Sequence, residues 1–168
     1  MTKHVVGIVM GSDSDYELIT GALKVFKDFA IPFEVNVISA HRDTESCLSY
    51  AKSSCGRGLK VIIAFAGMAA HLAGVLAANT TLPVIGVPLN RSGFNGLDAL
   101  LSTVQMPSGI PVATVAVDGS SNAAYLAIRI LALENEEINR KLIQFQEKMK
   151  LDLIIKSKKV QEKVQHEN

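Results

Sequence analysis

Short apolar runs and stretches of helical apolar spacing alternate along the chain, and the polar breaks between them fall at turn signals. Val5–Met10 reads as a strand ended by Gly11. From Asp15 to Phe29 the apolar Leu18, Ile19, Ala22, Leu23, Val25, Phe26 and Phe29 recur at helical spacing. Ser12, Asp13 and Ser14 just ahead are all good N-caps for that helix. Phe33–Ile38 is the next strand, and a helix then runs to about Ser54, stopped by Gly56 and Gly58. Leu59–Phe65 is strand three, Gly67 a turn, and Met68–Asn79 a helix. Pro83–Pro88 is strand four, Asn90–Asn95 a polar loop, and Leu97–Gln105 a short helix. After the loop Met106–Pro111, Val112–Val117 is strand five. Ser120, Ser121 and Asn122 then cap a long final helix from Ala123.

This is β-α repeated five times. Strands three to five are apolar almost throughout, as in a parallel sheet covered on both faces. Right-handed crossovers make it a doubly wound, three-layer α/β/α domain. The five-stranded parallel sheet is expected in the flavodoxin-like order 2-1-3-4-5. Residues 1–133 form that domain, and residues 134–168 a C-terminal helical extension rather than a separate domain. In the extension Ile138, Leu142, Phe145, Met149 and Leu153 make an apolar stripe, which predicts packing on the body or on a neighbouring subunit. Beyond about Lys156 a frayed, solvated end is expected.

Composition adds two points. With 48% hydrophobic and 20% charged residues and a net charge of +1, the chain is no disordered segment. It also has no basic field to hold a nucleic-acid backbone or an anionic membrane. Residues 134–168 carry 15 of the 33 charged residues. That leaves residues 1–133 roughly 14% charged against a usual ~25%. So charge-poor a body is expected to bury surface against other subunits. Val61–Ala78 has His71 as its one polar side chain, but its glycines and alanines suit strand, turn and buried helix better than a membrane span. The start lacks a signal-peptide run, and two cysteines build neither a disulfide framework nor a zinc site, so a cytoplasmic protein is expected. Cys47 and Cys55 are expected to be small core residues.

Ligands of such sheets bind beyond the carboxyl ends of the strands, at the switch point between strands one and three. The segments leaving the strands there are Gly11-Ser12-Asp13-Ser14-Asp15, Ser39-Ala40-His41-Arg42-Asp43, Gly67-Met68-Ala69-Ala70-His71 and Asn90-Arg91-Ser92-Gly93. They gather two of the four histidines and two of the four arginines of residues 1–133. The opposite rim, with Arg57, Lys60 and Leu82, is expected to hold no such cluster. Gly11–Asp15 opens a helix, so free backbone N–H groups and serine hydroxyls suit a phosphate, and Asp15 suits ribose hydroxyls. The same run serves equally as an N-cap with no ligand. His41-Arg42 pairs an imidazole, able to move a proton near neutral pH, with a fixed cation that grips phosphate by two prongs. His71, behind a turn of small residues, reads either as a ligand contact or as a packed core histidine. His4 and His166 are expected at the surface. Dinucleotide and P-loop glycine signatures, a nucleophile elbow and metal-spaced His or Cys are all missing, so no cofactor and no metal are expected.

Five blocks carry a resemblance: 9–15, 39–42, 66–72, 86–88 and 105–112. In that order, over about residues 4–133, they resemble the bacterial 5-(carboxyamino)imidazole ribonucleotide mutases of purine biosynthesis, also called the catalytic subunit of phosphoribosylaminoimidazole carboxylase. Met68 stands for the family's usual second glycine, Asp43-Thr44 for Thr-Pro, Ala73 for Pro and Ser108 for Arg. The resemblance implies a homo-octamer and a small-molecule ribonucleotide substrate. It implies a reaction that moves a carboxylate from the exocyclic nitrogen to ring carbon 4 without ATP or metal. It makes Ser12, Asp15 and Arg42 the nucleotide-binding residues, with Gly11, Ser14 and Ser39 beside them. His41 is then the acid/base, and His71 lines the carboxylate pocket with Gly67, Met68, Ala69 and Ala70. Met106–Pro111 is the expected closing loop. Two alternatives stay open. One is the sister carboxylase that uses free carbon dioxide, from which the Ala-Ala-His-Leu context of His71 points away. The other is a non-enzymatic nucleotide-binding or receiver-like module; a receiver would need an Asp where Phe65-Ala66-Gly67 stands.

Overall fold

The structure, a computed structural model, describes the backbone of residues 4–167 and the side chains of residues 4–165, so the side chain of His166 lies outside the described residues. Its sheet comprises β1 (Val6–Met10), β2 (Phe33–Val37), β3 (Val61–Gly67), β4 (Val84–Leu89) and β5 (Ala113–Thr114). The order is β2-β1-β3-β4-β5 and every pairing is parallel, as expected from the sequence. The helices are α1 (Tyr16–Asp28), α2 (Thr44–Arg57), α3 (Leu72–Ala77), α4 (Leu97–Val104), α5 (Ser120–Ala132) and α6 (Glu136–Glu167). The chain divides into two compact units, Met1–Ile130 and Leu131–Asn168.

Burial follows the strand alternation. Val9, Ile62, Ala64 and Val84 point to one face and pack with Cys47, Tyr50 and Ala51 of α2 and Leu72, Ala73 and Leu76 of α3. Gly86 on that face leaves room for Thr103 of α4. On the other face α1 buries Ile19, Ala22 and Phe26, and its Gly21 lies against Ser120 and Ser121 of α5. Central strands buried on both sides gain on the order of 1.5–3 kcal/mol per large apolar side chain, so the sheet fixes the strand ends firmly.

Four boundaries depart from the sequence reading. β3 runs on through Gly67, and residues 68–71 form a tight turn, so α3 is shorter than the expected 68–79. β5 keeps two residues of the expected six, because past Thr114 the backbone joins β4 only irregularly, Val115 N–H to Gly86 O and Asp118 N–H to Pro88 O. Ser120–Asn122 lie inside the first turn of α5 rather than ahead of it. The final helix is two helices: the chain breaks after Ala132, and Asn135 Oδ1 caps α6 by accepting from Glu137 N–H at 3.0 Å and Ile138 N–H at 3.1 Å.

Beyond Lys156 α6 does not fray. Residues 157–167 contain neither Gly nor Pro, and the backbone stays helical to Glu167, with side chains exposed as far as Gln165. Of the cysteines, Cys47 is buried but Cys55 is exposed. Eight residues on, a helical position has turned about 80° away from the core.

The rim at the strand N-termini does hold a charged cluster, contrary to expectation. Arg57 Nη1 donates to both Glu34 oxygens at 2.8 Å, and Tyr50 Oη donates to Glu34 Oε1 at 2.8 Å. The guanidinium lies over the Tyr50 ring, 4.8 Å from its centroid. Burial pushes the Glu34 carboxyl up, but the hydrogen bonds from Arg57 and Tyr50 and the Arg57 charge outweigh it, leaving the carboxyl below its ordinary value. Burial, and then the bond to Glu34, push the Tyr50 phenol well up.

Candidate active site

A cleft of about 610 Å³ opens at the carboxyl ends of β1, β2, β3 and β4. Gly11, Ser12, Ser14, Asp15, Ser39, His41, Arg42, Gly67, Met68, Ala69 and His71 all line it, as read from the sequence. Ala70 does not; it is buried.

After β1 the chain makes a 3₁₀ turn, Asp13–Asp15, before α1. Ser12 Oγ accepts from Ser14 N–H, and Asp15 N–H bonds back to Ser12 O at 3.2 Å. These two N–H groups are thus spent within the turn, not left free for an anion as expected. What the turn offers a ligand is the hydroxyls of Ser12 and Ser14, 2.9 Å apart. Asp15 is buried behind them.

After β2, Asp43 caps α2 by accepting from Ser46 N–H at 3.0 Å, and hydrogen bonding from the Ser46 side chain, then from its backbone, lowers the Asp43 pKa below the ordinary value. The loop ahead of that cap carries His41 and Arg42. Arg42 Nη2 donates to Gly11 O at 2.6 Å, which joins this loop to the first. A guanidinium has five N–H donors, so this bond still leaves Arg42 donors for a phosphate. After β3, Met68 takes a left-handed backbone at φ 55°, the one-residue kink that turns Ala69–His71 across the sheet end. The turn closes through Ala70 N–H to Met68 O and His71 N–H to Ala69 O, both 2.9 Å.

The kink brings His71 to His41. His41 Nε2 lies 2.8 Å from His71 Nδ1, with the rings edge-on at 87°. In a neutral pair one ring donates and the other accepts, so the proton state of each fixes the tautomer of its partner. His71 is therefore no packed core histidine; it is an exposed partner of the candidate acid/base. The sequence reading gave no role to Arg91, which also lines the cleft. It follows β4 by two residues, at the strand-end position that marked the other segments.

Among the described residues no group of three or more His, Cys, Asp or Glu could hold a metal, and no helix is long and apolar enough to cross a membrane. The topology and the cleft together define a doubly wound α/β protein with a cleft at its topological switch point. The chain belongs to the AIR carboxylase family, whose model matches residues 5–152. It is 52% identical over 160 residues to the N5-carboxyaminoimidazole ribonucleotide mutase of Pyrococcus horikoshii, covering 95% of this chain and 90% of that one. It is 50% identical over 161 residues to the phosphoribosylaminoimidazole carboxylase of Saccharomyces cerevisiae, covering 96% of this chain but only 28% of that longer protein. A crystal structure of a Treponema denticola PurE2 variant superposes with a TM-score of 0.85 at 30% identity, over 94% of this chain and 98% of that one.

Proposed function

We propose that this chain is an N5-carboxyaminoimidazole ribonucleotide mutase, an isomerase of purine biosynthesis. It moves a carboxylate from the exocyclic nitrogen of the ribonucleotide to ring carbon 4. The observation that carries the mechanism is the His41–His71 pair at 2.8 Å, set between Arg42 and the small-residue turn Gly67–Ala70.

The serine hydroxyls of Ser12 and Ser14 and the Arg42 fork hold the phosphate, Asp15 takes ribose hydroxyls, and the base then lies over the His pair. As the carbamate C–N bond breaks, its electron pair stays on nitrogen and His41 gives that nitrogen a proton. The freed carbon dioxide is attacked by the carbon 4 electrons, forming the new C–C bond. His41 then recovers a proton from carbon 4 and the ring regains its aromaticity. One imidazole gives and regains one proton, so the cycle balances without a second acid or a metal. His71 hydrogen-bonds His41 and lines the pocket that keeps the carbon dioxide, with Gly67, Met68 and Ala69. The Met106–Pro111 loop is the segment proposed to exclude water.

The same reading makes the protein a cytoplasmic homo-octamer. Phe94, Leu97, Leu101 and Val104, all at least 46% exposed, follow one another at three- and four-residue steps on and before α4. Together with the charge-poor body this stripe favours burial against other copies.

Turnover in isotopically labelled bicarbonate tests the reaction. Carbon dioxide held beside its acceptor has an effective concentration up to ~10⁵ M or more, so dissolved bicarbonate competes poorly with it. Product sampled in the first turnovers is expected to be almost unlabelled. Label approaching that of the solvent pool would instead assign the free-carbon-dioxide carboxylase.

A further inference from the structure

Arg91 is the charged group of the cleft that the mechanism leaves without work. Its stem crosses the end of β3 in a space only glycine allows. A Cβ on Gly67 would meet Arg91 Cβ and Cγ at 2.7 Å and Leu89 O at 3.2 Å. From there the guanidinium reaches across to the first loop. Its Nε donates to Asp15 Oδ1 at 2.9 Å, and its Nη2 to the Ser14 carbonyl. The Asp15 side chain is 7% exposed and that of Arg91 34%. A carboxylate so buried needs a partner, and a fork with one prong on the carboxylate and one on the neighbouring backbone fixes both. The charged side chains lining the cleft are Asp15, Arg42 and Arg91. The first two cancel, so Arg91 leaves a net positive charge facing an anionic ligand.

We propose that Arg91 is a substrate-positioning residue, which holds Asp15 by one oxygen so that the other meets the ribose hydroxyls. This rests on the ribose role given to Asp15 above. It makes Gly67 a seat for Arg91 as well as a wall of the carboxylate pocket. Because Arg91 acts through Asp15 on binding of the sugar, it should govern KM and spare kcat.

The experiment uses the full chain with Arg91→Gln and Arg91→Lys, each checked by thermal unfolding. Binding is measured calorimetrically for the carbon-carboxylated product nucleotide and for its 2′,3′-dideoxyribose analogue. Loss of a charge-assisted hydrogen-bond arrangement corresponds to about tenfold or more in affinity. Arg91→Gln is expected to raise KM by at least that factor with kcat nearly unchanged. It should weaken the ribose ligand likewise and leave the dideoxy analogue within about twofold. Arg91→Lys, which keeps the charge but not the fork, should recover part of the loss, and it carries the test if the glutamine variant does not fold. Normal KM and affinity in a folded variant would overturn the proposal. So would equal losses for both ligands, which would put Arg91 on the phosphate. Wild-type turnover is run in parallel. Its absence would count against the mutase reading, while the two binding arms still decide the role of Arg91.

Discussion

The two rims of the sheet both gather charge, and they spend it differently. At the N-terminal rim Glu34 receives both an Arg57 bond pair and the Tyr50 hydroxyl, and the Arg57 plane rests on the Tyr50 ring. Each strong donor has a strong acceptor, so the cluster is closed. At the carboxyl rim the bonds are thriftier. Arg42 is tied to one backbone carbonyl, and two imidazoles share one hydrogen bond. Serine hydroxyls bond one another across 2.9 Å. Arg91 is spent on Asp15 and the Ser14 carbonyl, and the backbone carries a left-handed kink at Met68. Charge by itself therefore does not mark a site. The mark is donors held in place with capacity unspent.

Three substitutions can break that contrast. The largest effect is expected at the open rim. His41→Asn should cut turnover by about 10²–10⁴-fold, the usual worth of a positioned acid/base, with thermal unfolding nearly unchanged. A well-folded variant with near-normal turnover would remove His41 from the mechanism. At the closed rim the effect should fall on stability alone. Glu34→Gln takes the charge from Arg57 and should cost about 1 kcal/mol in denaturant unfolding at neutral pH, with turnover unaltered.

The pH dependence sharpens this second test. The folded-state pKa of Glu34 is depressed below its ordinary value of 4.5. Its contribution is therefore full above that value and is lost as pH falls through the lower folded one. The stability gap between wild type and Glu34→Gln should narrow from pH 7 to pH 3; a constant gap would deny Glu34 its clamp role. The smallest effect measures strain at the open rim. Met68→Gly exchanges a left-handed L-residue for one that pays no such steric cost but loses more backbone entropy. A net gain of about 0.5–1 kcal/mol is expected. A loss of stability on calorimetry would show that Met68 earns its place by packing.

The fold was legible because its signal is local. Strands such as Val61–Gly67 and Val84–Leu89 are apolar from end to end, and helix α1 shows its buried face in its spacing. The strand-end rule places His41, Arg42, Asp15 and His71 on one rim from the sequence alone. Misreadings arose where local signals compete. Asn135 ahead of Glu136-Glu137 is a good cap signal, but the apolar spacing on both sides hid the break between α5 and α6. The residues after Pro111 look like a strand, yet only Ala113 and Thr114 find regular partners on β4. The glycine that seats Arg91 and the carboxylate that holds it lie 24 and 76 positions away. No spacing rule spans such distances, so the role of Arg91 shows only in three dimensions.

The shortness of β5 has a consequence for how the protein keeps itself apart from its neighbours in a crowded solution. A long, flat outermost strand is a template on which foreign chains add and fibrils start. Here that edge is two residues long, entered from Pro111, and its continuation is bent back onto β4 through Val115 and Asp118. A visiting strand finds too short a ladder to register on. Any association along this side must be made by side chains, which discriminate between partners, rather than by backbone, which does not.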